Sequence, residues 1–440
     1  MTRTFLALAV AGALVPPAAA QVAATTLPTG GSVVAGTAAI STPAAGSMVI
    51  NQATSSAILN WQSFSIGSSA RVQFAQPSAS AVALNRVIGT DPSQIFGQLA
   101  ANGRVFLTNP AGVLFAPGAS VDVGSLMATT LSISNTDFLS GRYTFTNSGG
   151  AGQVVNQGTI QATGYAALAA PQVRNDGIII ARLGKIALGA GDTVALDMVG
   201  DSLVNIRVDQ GALNASIVNT GTLEADGGVV ILNANSVNGL LDTVINTTGV
   251  IRADTIGQSN GQIVLNAGVT GSATLTSTGG LTVNSPSTTT SGAISVGAGS
   301  ITSSGGSISL AAGSLSVAGT SNVTATGGAI TLNATSVALT SEEKVTAPGG
   351  TVVVKGDTVT VADRSVVAIA GAQVTNRRAE ARTNAAAGAA VVQLPRIVPA
   401  EGSPVGRTTQ VIDQSVRAPV GRLPRMAFQI QGLGVSLPPQ

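Results

Sequence analysis

The chain contains no histidine and no cysteine among its 440 residues. Without histidine there is no Ser-His-Asp or Cys-His catalysis, no histidine-ligated zinc and no imidazole acid–base. Without cysteine there are no disulfides, thiolate metal sites or thiol nucleophiles. Charge is scarce as well, at 9% of residues against about a quarter in an ordinary globular domain. Aromatics make up only 3%, while 44% of residues are hydrophobic and 54 are glycine. Enough valine, isoleucine and leucine remain to build a core, so a solvated disordered polymer is excluded too.

The formal charge is +2, and its distribution is uneven. Eight arginines against three acids place +5 in residues 376–440, which leaves −3 for everything before them. A basic chain invites a nucleic-acid reading. Here the basicity belongs to the tail alone, and no nucleic-acid partner is expected.

Residues 1–20 read as a signal peptide. Arg3 is a short positive region, Phe5–Val15 an apolar one, and Ala18-Ala19-Ala20 a small-residue cleavage site that leaves Gln21 as the mature start. That apolar run is too short to span a bilayer, and no later stretch approaches 18 uninterrupted apolar residues, so no transmembrane segment is expected. An N-terminal core helix is the alternative reading of the same residues.

Repeats organise the rest. Gly305-Gly306-Ser307-Ile308-Ser309-Leu310 recurs as Gly327-Gly328-Ala329-Ile330-Thr331-Leu332 and Gly349-Gly350-Thr351-Val352-Val353-Val354, each copy 22 residues after the last. A second theme, Asn-x-Gly before apolar residues, appears at Asn156, Asn175 and Asn219, with a looser copy at Asn246–Ile251. Glycine pairs bracketing short runs of β-branched and small polar residues are turn–strand units, and their glycine and threonine density opposes helix. A period near 22 predicts an all-β solenoid, a parallel β-helix with two or three short strands per coil. If residues 21–375 were coil throughout, they would make about 16 rungs, a rod ~75–80 Å long at ~4.8 Å per rung. The recurrent Leu-Asn-Ala (Asn233, Asn266, Asn333) is expected to set stacked asparagines at strand-to-turn corners. Ten of the twelve aromatics lie from Trp61 to Tyr165, so the earlier region needs a bulkier core than the uniform stack that follows.

After Asn376 the repeats stop, and arginine, proline and alanine take over. This tail, residues 376–440, is expected to be disordered or to cap the rod. A docking role toward a polyanion or another protein is the further possibility.

The richest stretch lies between Asn51 and Ser134. It contains Asn60-Trp61, Asn85-Arg86-Val87, Asn102-Gly103, Asn109-Pro110-Ala111-Gly112-Val113 and Ala119-Ser120-Val121-Asp122-Val123-Gly124. From about Ala35 to Ser134, roughly a quarter of the chain, these residues resemble the N-terminal secretion domain of filamentous haemagglutinin-like exoproteins, the passengers of bacterial two-partner secretion. The resemblance implies a right-handed β-helix with an N-terminal cap and hairpin elaborations. It also implies export from the periplasm by a dedicated outer-membrane β-barrel transporter with POTRA modules, and a secreted or cell-surface location. The implied domains are residues 21–150 for secretion and 151–375 for a repeat rod.

The family's Asn-Pro-Asn-Gly-Ile turn corresponds here to Asn109, Pro110, Ala111, Gly112 and Val113. Turn chemistry survives: asparagine bonds its own backbone two residues on, proline fixes φ, and glycine accepts positive φ. Ala111 replaces the second asparagine, and a further family motif, Asn-Pro-Asn-Leu, is absent from the sequence. Asn109, Pro110 and Gly112 therefore read as a structural turn, as a secretion signal, or as both. Asn60, Trp61, Asn85, Arg86, Val87, Asn102 and Gly103 are the remaining positions on which the resemblance rests.

Chemistry elsewhere is thin. Gly189-Ala190-Gly191-Asp192 is like one unit of a calcium-binding glycine/aspartate repeat, but such sites need stacked copies. Asp192, Asp197, Asp201 and Asp209 with Arg207 could form a polysaccharide-cleaving site if two carboxylates stood roughly 5–10 Å apart. They could equally be loop charges. The expectation is a non-enzymatic exoprotein with no cofactor or metal, acting in adhesion and meeting a host or cell-surface receptor. The alternatives are a β-helical polysaccharide enzyme and the truncated stalk of a larger toxin or adhesin.

Overall fold

A computed structural model of the chain describes residues 22–200, 202–236 and 245–254. From 262 to 376 it describes the strands with a few flanking residues, and beyond them Phe428–Ile430. The signal-peptide reading, with Ala20 and Gln21, lies outside these residues, as does Asp201.

Alternating β-branched and small residues between glycine corners produce strands that pair with their equivalents one coil away. Gln172–Asn175, Ile178–Ile180 and Lys185–Ala190 run parallel to Ser216–Asn219, Thr222–Glu224 and Val229–Ala234. Those in turn pair with Ile245–Thr247, Val250–Ala253 and Gln262–Asn266. Each coil thus has three faces, and the molecule is a parallel β-helix. Its inner side chains stack in register: Ile179, Leu223 and Ile251 form one aliphatic column with no exposure.

The column that begins with Ser47–Gln52 and ends with Val366–Ile369 contains thirteen strands. At ~4.8 Å per rung its length is about 58 Å, shorter than the sixteen rungs expected from the period. The causes are the cap residues before Ser47 and insertion. Ser120 pairs with Thr159 and Ile178 with Thr222, because two stretches of chain leave the helix between those partners.

The departing stretches form a second layer. Tyr143–Thr146, Thr193–Val199 and Ser202–Gln210 make a three-stranded antiparallel sheet, preceded by the short helix Asn135–Leu139. Ser134 caps that helix, its hydroxyl accepting from the Asp137 N–H at 3.0 Å. The added layer lies against one outer face of the β-helix and seals a second core. Phe106, Phe138, Tyr143, Phe145 and Tyr165 are buried there, with Phe106 edge-on to Tyr143 at 5.0 Å. The first core, inside the coils, takes Trp61, Phe64, Phe74 and Phe115. The aromatics expected of a bulkier early region are therefore divided between two cores. The second of these reaches from Ile58 to Ile231, so it crosses residue 150, where the two domains were expected to divide.

Antiparallel strands close the amino-terminal end. Ser32–Ala35 pairs with Ser56–Trp61, and Ala38–Ala44 with Ser47–Gln52. No charged residue occurs from 4 to 70, so charge does not guard this edge. Both pairings instead carry a register shift, and Pro43 lies in the second strand; bulges and proline deter edge-to-edge association. Just ahead of the cap, residues 23–29 lie along the first coil: Gly67 N–H donates to Thr26 O and Ser69 N–H to Ala24 O.

Candidate functional site: the capped amino-terminal coils

The turn at Asn109 connects Gln98–Thr108 to Val113–Phe115. Asn109 is completely buried. Its side-chain amide donates to Asp91 O and to Ser93 Oγ, both at 3.0 Å. Its Oδ1 accepts from the Ala111 N–H at 3.0 Å, and its carbonyl accepts from the Gly112 N–H, also at 3.0 Å. Gly112 has φ +127°, which favours glycine there although a Cβ would meet nothing closer than 3.4 Å. The segment around Gly150–Gly152 packs over the turn: Gly152 N–H donates to Pro110 O, and a Cβ on Gly152 would lie 2.5 Å from Gly112 N. Val113 is buried in the inner core, while Pro110 and Ala111 are half-buried.

The other motif positions alternate between the two faces of their strands. Trp61, Asn85 and Val87 point inward, and the Trp61 indole N–H donates to Asn85 Oδ1 at 3.0 Å with both residues fully buried. Asn60 and Arg86 point outward. Arg86 donates to Ile133 O at 2.8 Å and to Asn135 Oδ1 at 2.9 Å, which ties the early coils to the helix that delivers Phe138. Burial holds the Arg86 guanidinium below its ordinary pKa. Asn60 Oδ1 is buried without a hydrogen-bond partner.

Asn102 and Gly103 form a corner. The Asn102 amide grips the Gln76 backbone in both directions, accepting from its N–H and donating to its carbonyl, each at 2.8 Å. Gly103 N–H donates to Gln76 Oε1 at 3.0 Å, and Gln76 Nε2 donates to Gln52 Oε1 at 3.0 Å. This amide chain through Gln52 and Gln76 was not foreseen; isolated glutamines in a polar run carry no periodic signal.

Stacked asparagines do exist, at a different motif from the one expected. Asn156 Nδ2 donates to Asn175 Oδ1 at 2.7 Å, and Asn175 Nδ2 to Asn219 Oδ1 at 2.8 Å. Asn219 Nδ2 then donates to Thr247 Oγ1 at 3.2 Å. The ladder thus belongs to Asn-x-Gly. Its glycines form the adjacent column: a Cβ on Gly177 would lie 2.2 Å from Gly158 O, and one on Gly221 2.0 Å from Gly177 O. The asparagines of Leu-Asn-Ala lie within strands instead, Asn233 opposite Asn266, and Asn233 donates to Ile206 O of the added sheet. Their position corrects the corner assignment: the apolar residue on either side faces inward, so the asparagine must face out.

The carboxylates are engaged by cations and amides. On the hairpin of the added sheet, Arg207 bridges Asp197 at 3.0 Å and Asp209 at 3.3 Å, all three being exposed. Asp192 accepts from Asn147 Nδ2 at 2.8 Å. Gly189 is closely packed, since a Cβ there would meet Ile206 Cδ1 at 2.7 Å and the isoleucine would have to shift. Among the described residues no group of three or more acidic side chains is placed to hold a metal ion.

These coils, their cap and the added sheet coincide with a family model, the TPS secretion domain, which matches residues 24–283. The chain belongs to that family. It is therefore an exoprotein of two-partner secretion, carried across the outer membrane by a cognate transporter to the extracellular space or cell surface. Two curated relatives are heme/hemopexin-binding proteins of Haemophilus influenzae. One, from strain Rd, is 36% identical over 250 residues, 55% of this chain and 27% of the relative. The other is 30% identical over 255 residues, covering 53% and 27%. The chain thus spans about a quarter of their length. Among solved structures, the HMW1 secretion domain of H. influenzae has the same fold, with a TM-score of 0.67 at 23% identity over 77% of this chain and 97% of that one. No helix among the described residues is long and apolar enough to cross a membrane.

Proposed function

We propose that the chain is a non-enzymatic surface exoprotein whose capped coils are read by the POTRA modules of its transporter and whose rod then serves adhesion. The observation that carries this reading is the second core. It joins the early coils, the added sheet and the coils up to Ile231 into one body, with Ala35 of the cap packed against it, and that body lies within the part shared with the family. Beyond that body the described strands form a regular stack, which offers a repeated outer surface to a receptor. The carboxylates of the hairpin support the non-enzymatic reading, because Arg207 is shared between Asp197 and Asp209.

Haem recognition, for which the two relatives are named, finds little support in this chain. The chain has neither histidine nor cysteine for axial ligation. Of the remaining ligand types among the described residues, Tyr143, Tyr165, Met48 and Met127 are buried and Met198 is half-buried. Titration of the mature chain with haemin should leave the Soret band unshifted; a stoichiometric shift would restore that activity.

Fractionation with immunoblotting, in cells with and without the transporter gene, tests the export half of the reading. Loss of extracellular protein in the deletion is expected, with accumulation in the periplasm. The adhesive half is tested by purified chain on host cells and abiotic surfaces. Binding no greater than that of a coil-free control protein would remove it.

A further inference from the structure

The β-helix has two ends, and antiparallel strands close the first. An open end of such a rod shows unpaired backbone groups and the apolar cross-section of the last coil, and solenoids need a terminal unit to cover both. At the far end, Gln373–Asn376 pairs in parallel with Val352–Gly356 on one side. On its other side it pairs antiparallel with Phe428–Ile430, so that Val374 faces Ile430, Thr375 faces Gln429 and Asn376 faces Phe428.

The sequence points to the same segment independently. Within a tail rich in arginine, proline and alanine, Met426, Phe428 and Ile430 alternate with Ala427, Gln429 and Gln431. That is period-two amphipathicity, one apolar face and one small or polar face. Phe428 is also the only aromatic residue after Tyr165. The repeats after Tyr165 contain no aromatic residue at all, so this ring belongs to a segment of another kind.

We propose that Phe428–Ile430 is the carboxy-terminal cap strand of this β-helix, closing the edge of Gln373–Asn376.

The absence of cysteine makes the register directly testable. Residues directly opposite in an antiparallel pair have Cα atoms about 4.5–5.5 Å apart, within the ~4.4–6.8 Å that a disulfide spans. In the mature chain, Thr375→Cys with Gln429→Cys should oxidise to one intramolecular disulfide. Thr375→Cys with Ile430→Cys, displaced by one residue onto opposite faces, should link at least tenfold more slowly. Equal rates for the two pairs, or no intramolecular link in either, would overturn the proposal. A link formed only between chains would overturn it in favour of a strand donated by a second copy. In a cysteine-free background, Phe428→Lys with Ile430→Lys should speed amide exchange at 374–376 at least tenfold and leave 47–52 unchanged. Unaltered exchange at 374–376 would also overturn it.

Discussion

Replacing Asn109 with alanine separates a turn that builds the fold from a turn that a transporter reads. The side chain is completely buried, donates to Asp91 O and Ser93 Oγ, and accepts from the Ala111 N–H. Each such bond contributes roughly 1 kcal/mol net, and a buried group left unpaired costs about 1–3 kcal/mol. The peptide groups of Asp91 and Ala111 are near enough to the surface to regain water, whereas Ser93 is fully buried. Asn109→Ala should therefore lower stability by about 3 kcal/mol, some two orders of magnitude in the folding equilibrium. The probe is built in. Trp61, the only tryptophan, stands two coils below: Asn60 pairs with Arg86 and Arg86 with Thr108, one residue before Asn109. Denaturant unfolding of the chain followed by Trp61 fluorescence should show an earlier midpoint in the variant. Ala111→Asn, which restores the residue that the family motif carries at a half-buried position, should move the midpoint by less than about 0.5 kcal/mol. An Asn109→Ala variant as stable as the parent yet retained in the periplasm would refute the structural argument and make the side chain itself the signal.

Three other variants probe the rest of the molecule. Gly177→Ala puts a Cβ 2.2 Å from Gly158 O and should cost about 2–4 kcal/mol by thermal unfolding, whereas Gly141→Ala, with nothing within 4 Å, bears only the strain of φ +72° and should cost about 1 kcal/mol. Phe106→Ala empties the centre of the second core, at about 3–5 kcal/mol. It should release amide exchange in 143–146 and 193–210 while the inner column at 179, 223 and 251 stays protected. Burial pushes the Asp176 carboxyl up, but bonds from Arg174, Thr220 and Gln157 outweigh it and hold the group below its usual value. A depressed carboxylate pKa gives stability that is present above the unfolded value near 4 and lost as pH falls through the folded one. Asp176→Asn should therefore reduce stability at neutral pH and flatten the acid limb below pH 4. An unchanged acid limb would assign it to other carboxylates, though not to Asp254, which burial raises and which acid therefore favours.

What the sequence made legible was whatever repeats. Gly-Gly and Asn-x-Gly recur because every coil turns the same corners, and those spacings suffice for the β-helix and its strands. The inserted sheet left no such trace. Tyr143-Thr144-Phe145-Thr146 alternates like any strand, yet its partner Thr193–Val199 lies some fifty residues on, with no turn signal to join them. Counting those insertions and the cap residues before Ser47 as coil produced three rungs too many. The asparagine ladder was assigned to Leu-Asn-Ala because both motifs pair an amide with a small neighbour. The glycine sets the ladder motif apart, since a would-be Cβ at Gly177 or Gly221 lies about 2 Å from the carbonyl one coil away, so the corner beside each stacked asparagine admits no side chain. Of the residues carried by the resemblance, Trp61 and Asn85 are joined by a bond, and Asn102 with Gly103 builds a corner on Gln76. Neither relation could be read from spacing, because each links side chains about 24 to 27 residues apart, on neighbouring rungs.

The second core also sets how the molecule bears load. Past residue 254 each described rung is paired only with its neighbours, so tension on the carboxy-terminal side peels coils one after another. A regular coil of 22 residues releases about 75 Å of chain at ~3.4 Å per residue for ~4.8 Å of rod lost. That peeling reaches a clamp at Ile231, where the added sheet binds Ile58, Phe106, Tyr165 and Ile231 together and several rungs must part at once. Under load the far end should pay out as a compliant tether while the amino-terminal end holds as its anchor.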